Sequence, residues 1–339
     1  MPLTHSAHGR PSQEAERRQL APSVLAELPD RFRRYVVPQH HAAYKTTEHD
    51  TWSRLLSRAA ELVDELCPWL HPSYVEGFKR LIQPWSKIPR LSAIAAALAE
   101  FGWRTVCVDG YIPPDIYAGL IARGVFPVSR GIRRPEHLDF APTPDLAHDL
   151  LGHIPMLISA EHRQFLQRLA TAMAIAPKNA LDQESYLANR GMAALRCKSS
   201  GVSAKLTAAE ARVALVQRDL AETPSALTQL GRMYLWSIEF GLMGTKQEFR
   251  IYGAGLLSSP AETRAVCLGR APVRNFSLSV VRRDIHFSKP QSAYYVAPDY
   301  ACLNQMLSAL ERRLSADADL GGRDQSPAVR AARAYRGGG

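Results

Sequence analysis

The stretch PTPDLAHDLLGHIP, residues 142–155, places two histidines, His148 and His153, with four residues between them. Pro144 falls near the first turn of a helix and Asp145 is acidic there, both favourable at a helix start. Gly152 stands immediately before His153. A glycine at that point lets a helix loosen or end, so the second imidazole can swing toward the first. The HExxH zinc-peptidase pattern is different: its histidines are four apart and share one helical face. Residues five apart lie about 140° apart around an ideal α-helix. The general-base glutamate of that pattern is also missing, Asp149 holding the next position. Two histidines on one helix are more often structural than ligating, so a metal reading needs a third ligand.

Glu239 offers one. It sits in YLWSIEFGL, residues 234–242, among Leu235, Trp236, Ile238, Phe240 and Leu242. An ionised carboxylate rarely stays buried unless it is paired or binds a metal. Two histidines and one carboxylate make the facial triad of non-haem Fe(II) oxygenases, which leaves coordination positions open. By itself Glu239 also fits the solvent face of an amphipathic helix, and spacing does not choose it over other carboxylates.

Composition bounds the class. The chain has 339 residues, 46% hydrophobic and 22% charged, which fits a globular protein with a sizeable core. No apolar run is long enough for a membrane helix, and the first residues, MPLTHSAHGRPSQEAERRQL, lack the apolar region of a secretory signal. The five cysteines are scattered with no CxxC pair, which suits a reducing, cytoplasmic compartment rather than a disulfide framework. The formal net charge is +10, but much of the arginine sits near the two ends, so no nucleic-acid partner is expected.

The pattern predicts a mainly α fold with small β elements. Residues 1–30 and 315–339 read as disordered, leaving one domain over 31–314. Thr47 to Leu66 and Leu91 to Phe101 carry helical spacing, the second stopped by Gly102. Residues 103–108 read as a strand, and Pro113, Pro114 and Asp115 open a helix. Thr207 and Glu210 form a capping box for a helix to Leu220. Thr223 and Pro224 start another, to Met243, and Ser259, Pro260 and Glu262 repeat that signal. FSLSVV, 276–281, and AYYVA, 293–297, read as strands. Asp299 to Leu314 reads as a last helix.

Several segments together resemble the catalytic domain of the aromatic amino acid hydroxylases, particularly the short bacterial phenylalanine hydroxylases. They are FRRYVVPQH (32–40), HDTWSRL (49–55), WRTVCVDGYIPPDIY (103–117), VFPVSRGIRRPEHLDF (125–140), APTPDLAHDLLGHIPML (141–157), YLWSIEFGL, IYGAGLLSS (251–259) and AYYVAPDY (293–300). The resemblance spans most of residues 30–310. It implies that His148, His153 and Glu239 hold Fe(II), with Tyr234 close to the metal. It implies that Arg133 pairs with the substrate carboxylate, held by Asp145, since a guanidinium grips a carboxylate through two bonds. Pro144 and Phe140 fall in the aromatic pocket region. Ser258 matches a serine that orients a ligand histidine. The backbone of Gly110, Tyr111 and Ile112, the ring of Tyr117 and the acid Asp149 match tetrahydropterin contacts. Without the resemblance, Gly110 reads as a turn glycine, Tyr117 as a core aromatic, Arg133 as a surface base and Ser258 as a loop serine.

The implied reaction is hydroxylation of a free aromatic amino acid, L-phenylalanine first, with O2 as co-substrate and tetrahydropterin and iron activating it together. L-Tryptophan, L-tyrosine or attack at the meta ring position in secondary metabolism are alternatives, since Leu235 stands where the family usually has a pocket tryptophan. Ala141 and Tyr117 also depart from the family pattern. A metal-dependent hydrolase, or a binding protein for pterin or amino acid, are readings from other classes. Residues 176 to 222 form an insertion that short family members lack; a lid, an oligomer contact or a partner surface are open for it.

Overall fold

In the computed structural model, which describes residues 22–138, 143–198, 203–283, 285 and 290–323, the apolar spacing after residue 46 yields a helix, Thr46–Leu66. Trp52, Leu55, Leu56, Ala59, Leu62 and Val63 all lie buried on its inner face. The next long apolar segment forms Leu91–Leu98 and a final 3-10 turn, Ala99–Phe101, which ends at Gly102 with φ 74°. A positive φ carries little strain only in glycine. The turn feeds β1, Arg104–Val108, which pairs in parallel with β2, Val125–Ser129, from Arg104 opposite Val125 to Val108 opposite Ser129. The helix Pro114–Ile121 makes the crossover. Pro127 fits inside β2 because a two-stranded sheet has only edge strands.

The second sheet has the order β4-β3-β6-β5, with β3 at Gly241–Gly244, β4 at Phe249–Ile251, β5 at Val273–Asn275 and β6 at Tyr294–Ala297. β3 runs antiparallel to β4 and parallel to β6, which is parallel to β5. Helices surround both sheets, so the mainly α expectation holds. One large core contains Trp52, Tyr74, Phe78, Trp103, Phe165 and Trp236.

Several boundaries differ from the sequence reading, each for a local reason. FSLSVV is not a strand: Leu278–Arg282 is a 3-10 turn capped by Ser277, whose hydroxyl accepts the Ser279 amide. The strand lies just before it, at β5. The helix over 204–222 is capped by Ser203, which accepts the Leu206 amide, so Thr207 lies inside it. The next helix is capped by Ser225 rather than Thr223, and helical structure ends at Glu239, residues 241–244 forming β3 instead. In the segment expected to be loose at the start, Pro22–Glu27 and Asp30–Arg33 are helical. Val24, Leu28 and Phe32 there bury against β1 and the crossover helix. The last helix, Tyr300–Arg323, runs past residue 314, anchored by the buried Leu303, Leu307 and Leu310.

The segment read from the sequence as an insertion forms a helical hairpin. Its helices, Ala180–Lys198 and Ala204–Glu222, share a small apolar cluster of Ala188, Met192 and Val213. Ion pairs join Arg196 to Glu210 at 2.8 Å and Glu184 to Arg212 at 3.3 Å, an order that makes the helices antiparallel.

The helix Pro72–Gly77 approaches Ile154–Ile158 so closely that a Cβ on Gly77 would lie 2.0 Å from the Pro155 carbonyl oxygen. Gly77→Ala is therefore expected to lower stability by about 1–3 kcal/mol, since backbone must shift. Gly191, inside an insertion helix with nothing within 4 Å of a Cβ, is the contrast: Gly191→Ala should stabilise by up to about 1 kcal/mol. Urea denaturation of the two variants checks this; equal effects would refute the close approach.

Candidate metal centre

The two histidines meet because the helix between them widens. Asp145 is the N-cap, its carboxylate accepting the His148 amide at 2.9 Å. One α-turn, Leu146–His148, follows, and Asp149–His153 is then a π-turn in which the Ile154 amide bonds to the Asp149 carbonyl. An i→i+5 turn stacks residues five apart, the spacing that an α-helix would splay. The two Nε2 atoms lie 3.2 Å apart. Gly152 lies inside this widened turn. Its bare α-carbon admits the Ala254 backbone, whose carbonyl oxygen would sit 2.5 Å from a Cβ.

Glu239 arrives the same way. The helix Ala226–Tyr234 widens into a second π-turn, Leu235–Glu239, closed by the Phe240 amide on the Leu235 carbonyl at 3.0 Å. One carboxylate oxygen lies 3.1 Å from His153 Nε2 and the other 3.4 Å from His148 Nε2. Bonds of roughly 2.1 Å from a shared ion, meeting near right angles, would space such donors about 3 Å apart. The YGAG segment wraps this turn: a Cβ on Gly253 or Gly255 would lie 2.5 or 3.0 Å from the Glu239 carbonyl oxygen. The Gly255 amide also bonds the Glu239 carboxylate.

Ser258 settles the protonation of His148. Its hydroxyl donates to the Ala254 carbonyl at 2.8 Å and lies 2.8 Å from His148 Nδ1. The serine oxygen then accepts from Nδ1–H, leaving the Nε2 lone pair aimed at the cluster. Burial lowers the His148 pKa to about 4, against the pull of Glu239. Burial would also lower His153, but the Glu239 charge and hydrogen bond outweigh it and raise that ring. Burial would raise Glu239, yet the two imidazoles bring its carboxyl down to about 2. Asp149 also lies within 4.8 Å of both histidines' ligand atoms. It faces the cluster differently: one of its oxygens accepts the Ser129 amide at 2.7 Å, and burial raises its carboxyl to about 7. The committed, charged carboxylate on both rings is Glu239.

Beside this centre, Arg133 is buried and gripped by Asp145 through its Nε at 3.0 Å, its Nη2 at 2.8 Å and its backbone amide at 2.6 Å. Burial alone would raise Asp145; Arg133 lowers it instead. Among the described residues, Arg133 Nη1 is buried with no partner. A buried unpaired donor is costly, roughly 1–3 kcal/mol, which suits a group held ready for an anion. Arg133 is thus not the surface base that its RR neighbourhood suggests.

The Tyr117 and Tyr234 hydroxyls are 3.1 Å apart, and Tyr117 rests edge-on against Phe126. Gly110 has φ 67°, Tyr111 is 38% exposed and Ile112 is buried. Leu235 is half-buried, while Trp236 turns into the core against Tyr295, ring centroids 4.9 Å apart. Pro144 is exposed, immediately before the Asp145 cap. Phe140 lies outside the described residues. Sequence reasoning missed Phe126, whose ring sits 5.0 Å from that of His153, and Ser129, which holds Asp149. The short continuous apolar run in VFPVS could have signalled their strand.

A family model described as biopterin-dependent aromatic amino acid hydroxylase matches residues 9–189 and 204–319. The chain is 29% identical over 250 residues to a phenylalanine-4-hydroxylase of Chromobacterium violaceum, covering 73% of this chain and 67% of that one. The structure is similar to that of the Chromobacterium violaceum phenylalanine hydroxylase with bound iron(III) and oxidised 7,8-dihydrobiopterin: TM-score 0.63, 25% identity, 85% of this chain and 93% of that chain. It is also similar to the iron- and phenylalanine-bound form, with TM-score 0.60, 25% identity and coverage of 83% and 87%.

Ser258→Ala should weaken divalent metal binding by roughly 10–100-fold, because a second partner orients the ligand ring. The fold should persist. Competition with a chelator, read beside circular dichroism, checks this; unchanged affinity would count against His148 as an oriented ligand.

Proposed function

The chain belongs to the biopterin-dependent aromatic amino acid hydroxylases, and from that premise we propose that it hydroxylates the ring of L-phenylalanine, with iron held by His148, His153 and Glu239. The observation that carries the ligand assignment is the convergence of two Nε2 atoms and one carboxylate within 3.1–3.4 Å. The donor set fits Fe(II): two imidazoles, which bind metal in their neutral form, and one carboxylate suit a ferrous ion with open positions for other ligands. L-Phenylalanine as substrate is supported by the named relatives. A cytoplasmic setting belongs to the same proposal, supported by the free thiols of Cys67, Cys107, Cys267 and Cys302. Among the described residues no helix is long and apolar enough to cross a membrane.

When bound, Fe(II) and tetrahydropterin supply the activation of O2, one oxygen atom going to the pterin and one to the aromatic ring. The chain's own residues do the rest. Arg133 receives the amino acid carboxylate on its unpartnered Nη1 and keeps its fixed plane through Asp145. Asp145 also holds the His148 amide, so the substrate clamp and the metal ligand share one carboxylate. The backbone of Gly110, Tyr111 and Ile112 serves the pterin edge, the Tyr117 ring its face, and Asp149 its polar groups. Tyr234 orients Tyr117 through the hydroxyl contact. The buried walls exclude water, which protects the activated oxygen for the substrate.

Reconstitution with Fe(II) and tetrahydrobiopterin under air, with phenylalanine, tyrosine and tryptophan offered separately, should give tyrosine from phenylalanine as the main product by mass and ring position. His148→Ala should lose iron and turnover while staying folded; retained turnover would sink the ligand assignment. Arg133→Lys keeps the charge but loses the fork. The KM for phenylalanine should then rise about tenfold or more, with the KM for pterin unchanged. A KM for phenylalanine equal to that of the unaltered chain would remove Arg133 from the clamp.

A further inference from the structure

The inserted hairpin reaches the loop to which the pterin reading assigns the cofactor edge. Tyr186, on the first inserted helix, is buried and stacks on Tyr111, with ring centroids 6.0 Å apart and planes at 23°. Tyr111 is the middle residue of the Gly110–Ile112 loop. That loop has little of its own to hold it. It belongs to no helix or strand, and among the described residues no backbone–backbone bond reaches the amides of Gly110, Tyr111 or Ile112. Those free amides can serve a ligand, but they leave the loop's position to side chains.

The hairpin is itself fixed at its base. Lys178 pairs with Asp115, next to the loop, at 2.8 Å. One oxygen of Asp182 accepts the hydroxyls of Ser225 and Thr228, at 2.7 and 2.9 Å, at the start of the helix that leads to Glu239. The Tyr186 ring is thus carried on a support tied both to the crossover helix and to the helix ahead of the ligand carboxylate. The Arg190 guanidinium, 3.4 Å from the Tyr186 hydroxyl, lies one helical turn on.

We propose that the insertion positions the pterin loop through this stack, which makes Tyr186 a positioning residue for the cofactor. This rests on the pterin reading above. An aromatic pair held against a loop without backbone pairing limits the conformations that Tyr111 can visit. Cofactor binding then loses less freedom, so the effect falls on pterin affinity rather than on the chemical step. The insertion is accordingly a brace on the cofactor side of the site, the function of a wall rather than of a moving lid.

The test uses the iron-loaded full chain with 7,8-dihydrobiopterin, and compares Tyr186→Ala, Tyr186→Leu and Tyr186→Phe. Losing the stack should weaken dihydrobiopterin binding by calorimetry, and raise the KM for tetrahydrobiopterin, by about 3- to 10-fold. The kcat and the KM for phenylalanine should stay put. Tyr186→Phe keeps the ring and should bind pterin as the unaltered chain does. Tyr186→Leu keeps apolar cover without the stack, so it should follow Tyr186→Ala and guard against a folding defect. Hydrogen exchange of the Gly110, Tyr111 and Ile112 amides, measured without any pterin, should quicken in the Ala and Leu variants alone. Unchanged exchange and affinity in both, or a phenylalanine variant as weak as the alanine one, would overturn the proposal. If the unaltered chain binds no pterin while exchange still responds to Tyr186, the cofactor reading has failed and the brace has not.

Discussion

A largely buried carboxylate held against two imidazoles is the constraint around which this protein is arranged. Glu239 sits with its charge within 3.4 Å of both Nε2 atoms, in surroundings that would otherwise neutralise it. Such a group is tolerable only if opposite charge shares the space. The two π-turns create that space, one under the histidines and one under the glutamate. Each adds a residue to a helical turn at a functional site, and each needs glycines nearby. Gly152 admits the Ala254 backbone, and Gly253 and Gly255 admit the Glu239 backbone.

The second constraint couples the histidine helix to Arg133. Asp145 is at once the cap of the histidine helix and the partner of Arg133. Its carboxylate satisfies three N–H groups of Arg133 and the His148 amide, which is the full load a carboxylate accepts. Moving Arg133 therefore disturbs the start of the ligand helix. The single unpaired nitrogen, Nη1, is what remains for an outside anion.

The helix pair Ala180–Lys198 and Ala204–Glu222 contributes no residue to the cluster of His148, His153 and Glu239. Its own apolar cluster is small, so its order comes from the body, through Asp182, Lys178 and Tyr186. An element of this kind can alter the grip on one cofactor while the buried ligands stay as they are.

The sequence by itself determined the mainly helical class and singled out His148, His153 and Glu239 as candidates, because residue type and apolar context are local properties. It also located most helices, since periodic burial and capping residues are written along the chain. It misjudged ends where a serine two or four positions away won the cap, as Ser225 and Ser203 did. Only the tertiary structure decided how residues five apart share one face, for a π-turn carries no residue signature. The same holds for Gly152, whose smallness serves a backbone that lies a hundred positions further on. Contacts such as Tyr111 with Tyr186 follow from the packing of distant segments, and packing depends on shape and volume that no stretch of sequence contains alone.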